Sequence, residues 1–257
     1  MHDKQIKGGV IIIGSLRWED EINAIQEEDQ KKLGKERRMW RERVLDLGNI
    51  KAIALPIRYG RSSKSRKCTY TMVFSSTAHT HKATGLIVPY NKNIDFRNYN
   101  HFKNQALDFA KVEGIKKKED KLIKKWGCIG IYINTSSIHC DLIKQYWLDL
   151  KNIDEDYLKI NSSSYCFSEL EGEYSLLNDD FTLSSEVRIE TNLDFLFFNY
   201  IKPEHRDQKK ERYPTPEEIA NEIICSGYKT YFEKNNDYGI TTANDTLIRN
   251  LINNSNE

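Results

Sequence analysis

The chain has 257 residues, with 39 Lys and Arg against 38 Asp and Glu, a net charge of +1 and a mean hydropathy of −0.68. It is polar, yet 10 Phe, 14 Tyr and 4 Trp can carry a core, which excludes a disordered chain. No apolar run approaches the roughly 20 residues a membrane helix needs, the first residues lack a signal-peptide pattern, and five Cys without a C-x-x-C pair argue against a disulfide scaffold or a Cys-rich metal site.

A cytoplasmic chain with reduced, buried thiols is therefore expected. Along it, Lys7 to Leu16 reads as a buried strand: short, β-branched and bounded by Gly. Glu19 to Arg43 has sparse apolar residues (Ile22, Ile25, Leu33, Trp40), so a helix there is largely solvated. Ala52 to Ile57 is apolar with Pro56 inside it, which predicts an edge or a bulge. Cys68 to Phe74 alternates, placing Cys68, Tyr70, Met72 and Phe74 on one face. Gly85 to Pro89 is a further buried run.

Asn100 to Lys125 is predicted to be helical in its first half, and Trp126 to Ile133 to be a strand. Ile138 to Leu150 has helical spacing, with Leu142, Ile143, Tyr146, Trp147 and Leu150 recurring on one side. Glu186 to Glu190 and Asp194 to Ile201 read as the last strands. Thr215-Pro216-Glu217-Glu218 is a capping box with Pro at the first helical position, opening a run to Phe232. Thr242-Ala243-Asn244-Asp245 repeats the pattern before the last helix. These elements predict a single α+β domain over residues 1–257 with a helical C-terminus.

Charge is uneven along the chain. Residues 31–125 hold 24 Lys/Arg and 8 Asp/Glu, while 149–194 hold 3 and 12. The two blocks are expected to face each other or to form solvated surface. Nucleic acid is then an open but not favoured partner, and the sequence leaves a homo-oligomer or protein partner open.

Strand one ends in Gly14-Ser15-Leu16. A buried strand that stops at Gly-Ser and turns exposes successive backbone N–H groups, which suit an anion or a developing oxyanion. Further on come Thr71-Met72-Val73-Phe74-Ser75, Gly85-Leu86-Ile87-Val88-Pro89, Gly130-Ile131-Tyr132, Glu171-Gly172 and Tyr213-Pro214-Thr215. The order of these pieces resembles the γ-glutamylcyclotransferase-like (AIG2-like) family across most of the chain. The resemblance implies a mixed or antiparallel, barrel-like sheet with surrounding helices and an insertion around 138–170. It implies cyclisation of a small-molecule γ-glutamyl amide or amine to 5-oxoproline with release of the amine, and no cofactor or metal. Glu171 then matches the catalytic acid/base, with Asp154, Glu155, Asp156, Glu169 and Glu173 as rivals. Gly14, Ser15 and Leu16 match the substrate loop. Ile13 stands where members usually carry an aromatic residue, and the stretch from Tyr132 to Glu171 is longer than expected.

Pro56 to Lys67 packs Arg58, Arg61, Arg66, Lys64, Lys67 and Tyr59 into what reads as a loop between strands. Arg58 and Arg61 are candidates to clamp a substrate carboxylate or phosphate bidentately. The alternative reading is a non-catalytic module binding a nucleotide, a nucleic acid or an acidic protein through Arg58 to Arg66. His79 and His81 could share a strand face, but no spaced third metal ligand follows them.

Overall fold

The computed structural model describes residues 5–20, 28–76, 83–115, 122–124, 126–152, 176–178, 180, 182–185, 187–207, 209–210 and 212–255. β1 (Gly8–Ile12) is the apolar run of the N-terminus, and every one of its residues is buried. Burial on both faces suits a central strand. β1 lies antiparallel to β5 (Thr84–Pro89) and parallel to β8 (Phe195–Ile201), with Val10 opposite Val88 on one side and Phe197 on the other. β2 (Lys51–Ala54), β6 (Ile123–Lys124) and β7 (Gly127–Ile133) complete a mixed sheet of order β2-β5-β1-β8-β7-β6. Among the described residues the sheet is open at β2 and β6, so the α+β expectation holds and the barrel-like closure is absent.

Pro56 does what its missing N–H demands. β2 is an edge strand and stops before it, and the chain leaves for a separate hairpin of β3 (Ile57–Ser62) and β4 (Tyr70–Phe74). Arg58 and Arg61 therefore sit on a strand, and the loop proper is only the turn around Lys64–Arg66. The one-sided alternation expected for β4 is not found: all five of its residues are buried. One side of the hairpin packs on the sheet, where Phe74 stacks on Tyr200 at 5.9 Å. The other is covered from the C-terminus, where the Met72 N–H donates to the Tyr231 hydroxyl and the Tyr59 ring meets Phe232.

α2 (Tyr99–Val112) and α3 (Cys140–Asn152) follow the expected spans, while α1 (Glu28–Val44) takes the later part of Glu19–Arg43 and Glu19 and Asp20 are not helical. α2 is capped by Asn98, whose side chain accepts the Asn100 N–H. Phe102 of α2 and Trp147 of α3 pack against Phe197, at 5.2 and 6.1 Å between ring centroids. The whole forms one continuous hydrophobic core. The proposed insertion thus begins as α3, and its remainder lies outside the described residues.

Four local expectations need correction. Val187 to Glu190 forms no strand; its carbonyls are met by side chains instead, Tyr132 on Ile189 and Lys51 on Glu190. The run from Thr215 to Phe232 is two helices, α4 (Pro216–Ser226) and α5 (Thr230–Asp237), because Gly227 adopts φ +63° and ends the first. The capping box of α4 is present as expected, but α6 (Asp245–Asn254) has no side-chain cap bond from Asn244. Finally, the described cysteines are free, yet only Cys128 and Cys140 are buried; Cys68 is intermediate and Cys225 exposed. Among the described residues no helix is long and apolar enough to cross a membrane.

Candidate functional site

At the end of β1 the chain passes through an extended Gly14 into a single 3₁₀ turn, Ser15–Arg17. The Ser15 carbonyl closes the turn by accepting the N–H groups of Trp18 and Glu19, at 3.1 and 2.7 Å. Gly14 is required by a close approach. A Cβ there would lie 2.6 Å from the Tyr231 hydroxyl, the same hydroxyl that holds Met72. Tyr231 in turn packs edge-on against Trp18, whose indole N–H donates to Asn235 at 2.7 Å. Helix α5 thus fixes the loop from behind.

The loop forms one wall of a cavity of about 810 Å³, which Arg61, Arg66, Glu113 and Asn199 also line. The β3–β4 turn, Ser62 to Arg66, supplies the opposite lip. The Arg66 guanidinium reaches across to donate to Ser15 Oγ at 2.7 Å and to both carboxylate oxygens of Glu19 at 3.0 and 3.1 Å. Arg37 of α1 pairs with the same carboxylate and donates its Nε–H to the Val112 carbonyl at 2.7 Å. Arg41, one turn on, donates to the Leu16 and Glu19 carbonyls at 2.8 and 2.9 Å. Helix α1 is therefore less solvated than its sequence suggests: Arg37 and Arg41 are buried beside Trp40.

Two carboxyl groups share this neighbourhood and titrate oppositely. Burial pushes Glu19 up, but the Arg66 and Arg37 charges and the bonds from Ser15 and Arg66 outweigh it and hold the carboxyl below its usual range. Glu113 caps the C-terminus of α2 and lines the cavity. Burial pushes it up more than Arg37, the bond from Asn199 and Arg66 pull it down, so its carboxyl stays above its usual range. Its direct partner is the neutral amide of Asn199 on β8, which donates to Glu113 Oε2 at 3.0 Å. The Asn199 carbonyl oxygen is itself buried and has no hydrogen-bond partner among the described residues. A buried acceptor without a donor is costly, so a donor arriving in the cavity would be held there.

Of the residues singled out in the sequence, Gly14, Ser15, Leu16 and Arg61 line this cavity together. Arg61 also lies over the Trp126 ring at 4.8 Å and 3.6 Å from a Glu204 carboxylate oxygen. Arg58 is not among the lining residues; its guanidinium stacks on Tyr213 at 4.2 Å. Glu171 and its rivals Asp154, Glu155, Asp156, Glu169 and Glu173 lie outside the described residues, as do His79 and His81. Sequence reasoning passed over Glu19, Arg37, Glu113 and Asn199. One signal was present: Glu113-Gly114 is a second Glu-Gly pair, placed where a helix was expected to end.

A smaller cavity of about 360 Å³ beside α4 is of another kind. Its Glu218 accepts two bonds from Arg212 at 2.7 and 2.8 Å, one from Lys210 at 2.6 Å, and closes the capping box on Thr215 N at 3.0 Å. That carboxylate serves the helix terminus. No protein-family model matches the chain, and neither a curated protein nor a solved structure matches it significantly.

Proposed function

We propose that the chain is a γ-glutamylcyclotransferase-like enzyme that closes a γ-glutamyl amide to 5-oxoproline and releases the amine, with Glu113 as its general acid/base. The observation that carries the reading is Glu113: a carboxyl held above its usual range in the same cavity as the Gly14–Leu16 loop. A group that must take a proton and then return it works best with a pKa near the working pH. The resemblance of the strand motifs supports the same chemistry. Glu113 stands before the Gly130-Ile131-Tyr132 strand rather than after it, which departs from the order the resemblance implies.

In this reading the substrate α-ammonium sits against Glu113 and the unpartnered Asn199 carbonyl oxygen. Glu113 takes a proton from it, and the freed amine attacks the γ-carbonyl carbon. The C–N bond of the ring forms, and the carbonyl electrons move onto oxygen near the first-strand loop. The oxyanion then collapses, the bond to the leaving nitrogen breaks, and Glu113 returns a proton to that nitrogen. In net terms two protons pass from the α-nitrogen to the amine, and no oxidant, metal or cofactor enters the balance.

The test is mass-spectrometric: γ-glutamyl amides incubated with the protein should yield 5-oxoproline, and Glu113→Gln should not. Turnover that survives Glu113→Gln would remove this residue from the reaction. The second reading is an anion-binding module, favoured by the Arg61, Lys64 and Arg66 side chains on the cavity lip. Anion binding with no 5-oxoproline from any γ-glutamyl amide would select it.

A further inference from the structure

The cavity is polarised. Its floor offers an acceptor, the Asn199 carbonyl oxygen, beside Glu113. Its lip offers donors: the buried Arg66 Nε–H has no hydrogen-bond partner among the described residues, and the Arg61 Nε–H meets only Glu204, at 3.6 Å. Ser63 and Ser65 hydroxyls lie 3.1 Å apart on the same turn, and an Arg66 Nη1 reaches Ser63 at 3.4 Å.

Charge on the lip exceeds what its own carboxylates neutralise. Lys111 pairs with Glu36 at 3.4 Å, Arg206 with Glu222, and Arg61 lies 3.6 Å from Glu204. Glu19 alone meets both Arg37 and Arg66. Lys32 and Lys64, both exposed and both lining the cavity, have no ion pair among the described residues. A volume near 810 Å³ is also at the large end for a ligand pocket, far more than a γ-glutamyl group fills.

We infer that the substrate's amine half carries a phosphoryl group, held on the Ser62–Arg66 turn by Arg61, Lys64 and Arg66 with Lys32 facing it from α1. A phosphoryl dianion supplies acceptor oxygens to the Arg66 Nε–H, to the one hydroxyl proton that the Ser63–Ser65 bond leaves over, and to two ammonium groups, and adds charge beside Arg61. A plain γ-glutamyl amine would leave these donors unmet. This deepens the proposed function and rests on it for the amide half, whereas the phosphate half stands on the cavity alone.

The first experiment needs no turnover: calorimetric titration with inorganic pyrophosphate at low and at physiological salt. One site is expected, weakening with salt, and the double substitution Lys32→Ala/Lys64→Ala should lower affinity at least about tenfold. The control Lys35→Ala/Lys92→Ala removes the same charge from exposed lysines that do not line the cavity and should leave affinity within about twofold. Absence of pyrophosphate binding, or equal losses in both doubles, would overturn the phosphate subsite. The second experiment compares 5-oxoproline release from γ-glutamyl-ethanolamine and its O-phosphate. A KM at least about tenfold lower for the phosphate supports the inference, and equal KM values overturn it. Failure of both compounds to give 5-oxoproline counts against the cyclotransferase reading, and the pyrophosphate titration then decides the subsite by itself.

Discussion

Glu19 and Glu113 sit in the field of the same guanidinium groups, yet one is held ionised and the other is pushed toward its acid form. The difference lies in what touches each. Glu19 receives direct bonds from Arg66 and an ion pair with Arg37, so burial is outweighed. Among the described residues Glu113 receives only the Asn199 amide and feels the arginines at a distance, so burial prevails. A buried carboxylate in full contact with its counter-charges is structural scaffolding. One left with a neutral neighbour and room beside it can exchange a proton. The two residues thus divide the labour of the site, and each can be used to break the comparison.

The largest effect should come from Glu113→Gln. Loss of a positioned acid/base is expected to lower kcat for 5-oxoproline formation by roughly 10²–10⁴-fold, while the fold remains. Steady-state assay together with a circular dichroism melt reads both. A parallel collapse of the fold would return Glu113 to the scaffold.

Glu19→Gln should do the opposite. It leaves the buried Arg37 and the half-buried Arg66 beside a neutral amide, and removing one member of a buried ion pair costs about 3–5 kcal/mol. Urea unfolding would measure it, and a change below about 1 kcal/mol would place the pair among weak surface bridges.

The pH dependence separates the two by sign. Glu19 has a folded pKa below its ordinary 4.5, so its contribution is present above that value and is lost as pH falls through the lower folded value. Glu113 has a folded pKa above 4.5, so its contribution is present below 4.5 and is lost as pH rises through the raised value. Glu113→Gln should therefore flatten the fall of stability above pH 4.5 and leave the acid limb untouched, which denaturation across pH would resolve.

Smaller effects test the loop and the strand. Gly14→Ala should cost about 1–3 kcal/mol through overpacking against the Tyr231 hydroxyl, and Tyr231→Phe in the same chain should recover part of it. Additive losses in that double-mutant cycle would mean the two do not meet. Arg58→Ala should cost at least about 0.5–1 kcal/mol, the worth of its stack on Tyr213, and leave KM for a γ-glutamyl amide unchanged. A raised KM would bring Arg58 back to the site.

Much of the fold was legible because its signals are local. The β-branched run of β1, the Thr215 cap and the Pro56 break each act within a few residues, and the elements they belong to start or end where that chemistry says. Gly227 was equally local, but a left-handed glycine inside an apolar helical rhythm yields to the rhythm when only periodicity is read. Legibility failed where burial arrives from afar. β4 looks one-sided until α5 covers its second face, and Val187 to Glu190 looks like a strand until its carbonyls find side chains instead of a ladder.

The site follows the same division. The sequence by itself determined that strand one would end in a tight Gly-Ser turn and that basic residues would cluster between β2 and β4, because both depend on neighbours in the chain. Only the tertiary structure decided that Arg66 would be spent on Glu19, 47 residues away, and that Arg58 would turn to Tyr213. It also decided that Glu113, at the end of a helix, would meet Asn199, 86 residues on, in the lining of a cavity. Proton affinity is set by the charges and dipoles within a few ångströms and by the water that burial removes, and the chain brings those together only when it folds.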